Sequence, residues 1–311
     1  MKGICLDLTG CRALGDTLCA TPTIRKLYNS YNKKISVITN IPDLFTTNDY
    51  VENIFNSDVD RELLKQTYDI FDTFDLSYKD NGVCNKHNAM DIRQFHAISL
   101  GFMLNKEEMT LDYIPKSSCM IPDLPEKYVL IHSVQNWNSR TWSFDNWRLL
   151  TRLLNEKGIA VISVGKDSSE TGGSNVEKPA FDFEIQNGLN LVNKTTLDDT
   201  WHLISNSLCF VTMDSGLLHL AGTTDAEIIQ LGSSINPEFR SPFRNGSQEY
   251  KYHYVMGGCG LNCASNVKYG VREWGSIHGI PPLVNCLENK PTFECHPSVM
   301  QVYNKVIELI K

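Results

Sequence analysis

Short apolar runs alternate along this chain with longer stretches whose apolar positions recur every three or four residues. GICLDL (3–8) is one such run, and the turn-rich TGCRALGD (9–16) follows it. The next stretch, TLCATPTIRKLYNSY (17–31), predicts a helix with Ile24, Leu27, Tyr28 and Tyr31 on one face. KISVITN (34–40) predicts a second strand, YDIFDTFDL (68–76) a third, and residues 88–102 a helix ending near Gly101. PKSSCMIPDLPE (115–126) is rich in proline and serine and reads as a linker. Alternation then restarts with the strand YVLIHSV (128–134) and the amphipathic WSFDNWRLLTRLLNEKG (142–158), with Ser143 as its N-cap and Gly158 as its stop. IAVISVG (159–165) is a strand, TLDDTWHLISNS (196–207) a helix capped by Thr196, and LCFVTM (208–213) a strand. SGLLHLAG (215–222) then opens a helix before the strand EIIQLG (227–232). Alternation of this kind implies parallel sheets with crossover helices, here an α/β chain of two Rossmann-like halves.

Composition narrows the classes. With 311 residues and 41% hydrophobic content the chain can bury a sizeable core. A formal charge of -7 lacks the bulk basic footprint of nucleic-acid binders, so nucleic acid is not a favoured partner. No apolar run is long enough for a membrane span. The start, MKGICLDLTG, reads as a strand rather than a signal peptide, and a cytoplasmic protein is expected. Of the ten cysteines, Cys5, Cys11, Cys19, Cys84, Cys119 and Cys209 are scattered, several within apolar segments, and read as buried hydrophobes. Cys259, Cys263, Cys286 and Cys295 cluster late in the chain.

The segment VTMDSGLLHLAG (211–222) runs a strand through Asp214-Ser215-Gly216 into a helix carrying His219. Three chemistries use such a turn. An aspartic protease needs two carboxylates sharing a proton in an all-β setting, and this chain has a single Asp-Ser-Gly among alternating strands and helices. A serine-hydrolase elbow needs glycine two residues before the serine, where Met213 stands. An anion site needs backbone N–H groups at a helix start beyond a strand's carboxyl end, and Ser215 and Gly216 fit that place. A simple capped strand–helix junction would use the same residues. An NAD oxidoreductase would share Rossmann halves, but TGCRALGD stands where Gly-x-Gly-x-x-Gly belongs.

Asp214-Ser215-Gly216 with His219 resembles the D-[ST]-G-x-x-H motif of glycosyltransferase family 9, the ADP-heptose heptosyltransferases. GDTLCATPTIRKL (15–27) resembles the family's N-terminal pattern, HSVQNWNSRTWSFDNW (132–147) its strand–loop element, and CHPSVMQVYNKVIELI (295–310) its closing segment. The matches follow the family's order, with residues 50–115 matching only loosely. The resemblance implies the GT-B fold, two Rossmann-like domains facing across a cleft. It places an acceptor-binding domain at 1–120 and a nucleotide-sugar domain at 121–295, the latter with a cysteine-rich segment at 257–295. The remainder, 296–311, is a helix crossing back to the first domain. It implies inverting transfer of a sugar, heptose from ADP-heptose, to an acceptor hydroxyl on a glycan or protein, with modified DNA bases or a non-catalytic nucleotide-sugar-binding subunit as alternatives. By resemblance Asp16 is the catalytic base; an N-cap is its structural alternative. Arg140, at the family's lysine position, Asp214, Ser215, Gly216 and His219 serve the donor. Ser133 to Asn136 line its phosphates and Thr195 its nucleoside. No proline follows Trp142, a departure from the family pattern. No catalytic divalent metal is implied, and Asp58-Val59-Asp60 lies in a poorly matched stretch. The four late cysteines suit a structural iron or zinc site like that of autotransporter heptosyltransferases, with His278 and His296 as reserve ligands; free thiols and disulfides are the alternatives.

Overall fold

The computed structural model describes residues 2–11, 13–73, 90–133, 138–169, 177–178, 180–242, 251–263, 265, 286, 288, 290 and 292–311. Strands β1 (Gly3–Asp7), β2 (Ile35–Thr39), β3 (Val51–Asn56) and β4 (Tyr68–Asp72) form an all-parallel sheet in the order β3-β2-β1-β4. The second half carries β5 (Tyr128–His132), β6 (Ala160–Val164), β9 (Gly188–Asn190), β10 (Cys209–Thr212), β11 (Ile228–Leu231) and β12 (Tyr252–Val255). These six, also all parallel, lie in the order β12-β11-β10-β5-β6-β9. A short antiparallel pair, β7 (Ser168–Ser169) and β8 (Glu177–Lys178), stands apart. Continuous burial along ISVIT, YVLIH and AVISV explains why these strands are interior and parallel.

The helices of the first half are α1 (Leu14–Leu18), α2 (Thr21–Tyr31), α3 (Arg61–Leu64) and α4 (Ile92–Ser99). Those of the second are α5 (Phe144–Glu156), α6 (Leu197–Ser205), α7 (Gly216–Ala221) and α8 (Val299–Leu309). Ser143 caps α5 through Asn146 N, Gly158 beyond it adopts φ +76, and Thr196 caps α6, as the sequence predicts; Asp199 reciprocates the Thr196 cap. Asp60 accepts from Glu62 N and Leu63 N, so this half of the Asp58–Asp60 pair is a helix cap. Among the described residues no helix is long and apolar enough to cross a membrane.

Four expectations change. The helix over 17–31 is two: the chain turns at Cys19–Ala20 and restarts at Thr21-Pro22, where a residue lacking N–H fits the first turn. Strand β3 was not foreseen; VENIFN is an edge strand whose exposed polar positions hide its pattern. The third strand stops at Asp72, and residues 74–76 of its predicted span lie outside the described residues. The closing helix, expected to cross back to the first half, instead packs on α5, β11 and β12. Its Val299, Val302 and Val306 are buried with Trp142, Trp147, Leu150 and Val255, all from the second half.

One apolar cluster joins the halves: Leu6, Leu18 and Ile24 belong with Leu130, Phe210, Leu218 and Ile228. The 115–126 segment is fastened to the start of α6. Asp198 accepts from Ser117 N at 3.0 Å and Ser117 Oγ at 2.6 Å, and Asp199 accepts from Met120 N at 2.9 Å.

Candidate functional site

Numbered within its own half, the second sheet runs 3-2-1-4-5-6. The order reverses between β5 and β10, and at such a switch point in an open α/β sheet the connections diverge and leave a crevice beyond the carboxyl ends of the strands. Ser133 follows β5 there, and Asp214-Ser215-Gly216 follows β10. Both serine side chains turn inward. Ser133 is fully buried, its Oγ 2.6 Å from Ser163 Oγ and 3.2 Å from Phe181 O. Ser215 is the N-cap of α7 but makes no side-chain cap bond. Its Oγ lies 3.0 Å from Nδ1 of His132 and 3.2 Å from Thr212 Oγ1, while Thr212 donates to Met213 O. Burial pushes His132 down to about 3, so it accepts or donates as a neutral ring. With the hydroxyl committed to the floor, the turn offers a ligand its backbone: the first N–H groups of α7. Residues 134–136, expected to line the phosphate side, lie outside the described residues.

Arg140 sits in a short 3-10 turn (Asn138–Arg140) beside this crevice. Its Nη1 lies 3.3 Å from Asp214 Oδ2, with the two side chains only 12% and 2% exposed. The carboxylate thus fixes a guanidinium next to the helix start. Thr195 stands in the turn before α6, half-buried, its Oγ1 3.0 Å from Thr200 Oγ1.

The first half supplies the other wall. Asp16 is half-buried in α1, and His96 of α4 donates from Nε2 to the Asp16 carbonyl at 3.0 Å. The His96 Nδ1 lies 3.1 Å from Thr73 Oγ1. Helix α1 meets α7 glycine to glycine. A Cβ on Gly15 would stand 2.7 Å from His219 Cδ2 and 3.2 Å from the Gly216 Cα. A Cβ on Gly216 would stand 3.0 Å from Leu14 Cβ and 3.1 Å from Gly15 N. The Asp16 turn and the Ser215–His219 turn, some two hundred residues apart, are therefore in direct contact. His219 is buried, its Nδ1 3.5 Å from Cys19 Sγ, and burial holds it down to about 4. Arg93 and Arg240, both buried, add positive charge nearby.

Sequence reasoning placed Asp16, Arg140, Asp214, Ser215, Gly216 and His219, and the fold brings them to one crevice. It missed His96, His132, Thr212, Cys19, Arg93 and Arg240. Cys19, His132 and Thr212 fall within the segments quoted above at positions given no role there, and Arg93, His96 and Arg240 lie outside them; His132 is also the last residue of a buried strand.

The late cysteines, Cys259, Cys263, Cys286 and Cys295, line a separate cavity of about 320 Å³. Burial first, and then the nearby thiols of Cys263, Cys259 and Cys286, push Cys295 up to about 12. Among the described residues, however, no group of three or more His, Cys, Asp or Glu is arranged to hold a metal ion. His296, a reserve ligand by sequence, instead donates from Nε2 to Ser139 O at 2.8 Å. His278 lies outside the described residues.

The family model for glycosyltransferase family 9 (heptosyltransferase) matches residues 87–256, more than half of the chain. Lipooligosaccharide heptosyltransferase 2 of Haemophilus influenzae is 28% identical over 104 residues, covering 33% of this chain and 30% of its own length. Lipopolysaccharide heptosyltransferase 2 of Escherichia coli is 26% identical over 125 residues, 39% of this chain and 36% of its own. The matched stretch thus spans about a third of the length of these relatives. Among solved structures, the iron-containing dodecameric glycosyltransferase TibC from enterotoxigenic E. coli superposes with a TM-score of 0.69 at 17% identity, covering 100% of this chain and 77% of TibC. A glycosyltransferase family 9 protein from Veillonella parvula gives 0.62 at 12% identity, covering 99% and 97%. With these neighbours the chain shares the GT-B fold of two Rossmann-like halves.

Proposed function

This chain belongs to glycosyltransferase family 9, and on that premise we propose that it transfers heptose from ADP-heptose to an acceptor hydroxyl. The contact between the Gly15–Asp16 turn and the Gly216–His219 turn carries the reading. It puts a carboxylate beside a helix start that favours anions. One TibC structure is described as a complex with ADP-D-beta-D-heptose, which supports that donor.

In this mechanism the Asp16 carboxylate accepts the proton of the acceptor hydroxyl. That oxygen attacks the anomeric carbon, and ADP leaves from the opposite face with inversion. Negative charge growing on the diphosphate meets Arg140 and the N–H groups at the start of α7, so no divalent cation is required. Asp214 keeps the guanidinium in place, and Thr195 stands at the nucleoside side. A glycan hydroxyl is the default acceptor, since the relatives are named for lipopolysaccharide and lipooligosaccharide. A protein side chain and a modified DNA base are the other acceptors to test.

The reading extends to Cys259, Cys263, Cys286 and Cys295 as the donor set of a structural iron or zinc ion. Thiolates are the right ligands for either metal, and a cation would offset the burial and the repulsion from neighbouring thiols that together raise Cys295. Elemental analysis of reductant-treated protein should find about one metal per chain; none would leave four thiols.

Calorimetry with ADP-heptose, UDP-glucose, GDP-mannose and ADP tests the donor. The expected result is selective binding of ADP compounds by both the wild type and Asp16→Asn, with turnover only in the wild type. Preference for another nucleotide moves the donor. Turnover by Asp16→Asn removes it as base. Binding without turnover by the wild type returns the chain to the non-catalytic nucleotide-sugar-binding subunit reading, and binding of none overturns the donor assignment.

A further inference from the structure

Cys19, the residue that ends α1, is fully buried, and its Sγ lies 3.5 Å from Nδ1 of His219. The other edge of the ring faces Gly15, where a Cβ would meet Cδ2 at 2.7 Å and Nε2 at 3.5 Å. The imidazole is thus wedged with Nδ1 toward the sulfur and Nε2 toward the Gly15–Asp16 turn. A neutral imidazole has one proton to place on its two nitrogens. A thiol donates to a ring nitrogen, whereas its sulfur is a weak acceptor. Burial raises the Cys19 thiol well above its ordinary range, so the S–H persists. The charged groups around the ring oppose one another, Asp214 and Asp16 favouring imidazolium and Arg93 and Arg240 opposing it, and burial leaves the ring neutral.

We infer that Cys19 is a positioning residue whose S–H donates to Nδ1 of His219, fixing the tautomer that carries its proton on Nε2. His219 then presents an N–H donor toward the Gly15–Asp16 turn, for an oxygen of the bound sugar diphosphate. That last assignment rests on the function proposed above; the tautomer does not.

The test is heteronuclear NMR of protein labelled with 15N-histidine at neutral pH. The eight histidines are separated by comparison with His219→Asn. Wild type should show His219 Nδ1 in the unprotonated range and Nε2 in the protonated range. Cys19→Val, which removes the donor and adds about one methyl group, should shift this population, and Cys19→Ser should restore it. A wild-type ring protonated on Nδ1, or a tautomer unmoved by Cys19→Val, overturns the assignment. In transfer assays Cys19→Val should lose about threefold to tenfold in kcat/KM, the range of one hydrogen bond, with recovery in Cys19→Ser. A shifted tautomer with unchanged kcat/KM overturns the ligand-facing role alone.

Discussion

The two turns that meet in the crevice are held in opposite ways. The α1 turn is gripped by its backbone: His96 donates to the Asp16 carbonyl, leaving the Asp16 side chain half-buried at the site. The α7 turn is gripped by its side chains: Ser215 binds the floor at His132 and Thr212, and Asp214 binds Arg140. One turn therefore presents a carboxylate and the other presents backbone N–H groups. On the proposed function, the contrast is between a proton acceptor, whose turn is held through the backbone, and an anion cradle, whose side chains are committed so that the amides stay aimed.

Asp16→Asn breaks the first side of this contrast most severely. Steady-state assays should show kcat falling about 10²- to 10⁴-fold, the usual worth of a general base, while calorimetric ADP affinity stays near wild type.

Acidification probes the second side. His132 and His219 are held near 3 and 4 against about 6.5 in the unfolded chain. With the folded values depressed, the unfolded state takes up protons first as pH falls below about 6.5. Stability should therefore decline between pH 6.5 and 4, by on the order of 3 kcal/mol for His219 alone. Urea unfolding across that range should show it, and His219→Asn should flatten the slope.

Gly15→Ala sharpens the point where the turns touch. A methyl there must displace the His219 ring or the Gly216 backbone, and denaturant titration should register a loss of about 1–3 kcal/mol. A smaller effect belongs to Arg140→Ala, which should weaken ADP binding about tenfold, in keeping with one charge-assisted contact. Asp214→Asn should weaken it less, because the guanidinium remains.

Much of the second half was legible. Buried strands such as AVISV and caps such as Ser143 and Thr196 announce themselves locally, because burial and capping are properties of adjacent residues. The Asp214-Ser215-Gly216 turn was legible for the same reason. Strand β3 was not, since an edge strand exposes the polar positions that disguise its period. The inward rotation of Ser133 and Ser215 was also hidden, because their partners Ser163 and His132 are set by sheet register rather than by sequence neighbours. Likewise nothing near Val299 reveals whether α8 lies on α5 or on the first half; its apolar stripe fits any apolar surface.

The backbone of residues 294–297 leads two lives. On one side Gly257 N reaches Cys295 O at 2.9 Å and Cys259 N reaches Glu294 O at 3.1 Å, tying together two backbone segments that line the thiol cavity. On the other, His296 donates to Ser139 O and Trp142 donates to Pro297 O at 2.9 Å, bracing the turn that carries Arg140. Gly257 is pressed so closely against Glu294 O and His296 O that a Cβ would stand 2.2 Å from each. The segment works as a tie rod with no slack: whatever rearranges the cysteine loop pulls, one residue later, on the mounting of the arginine.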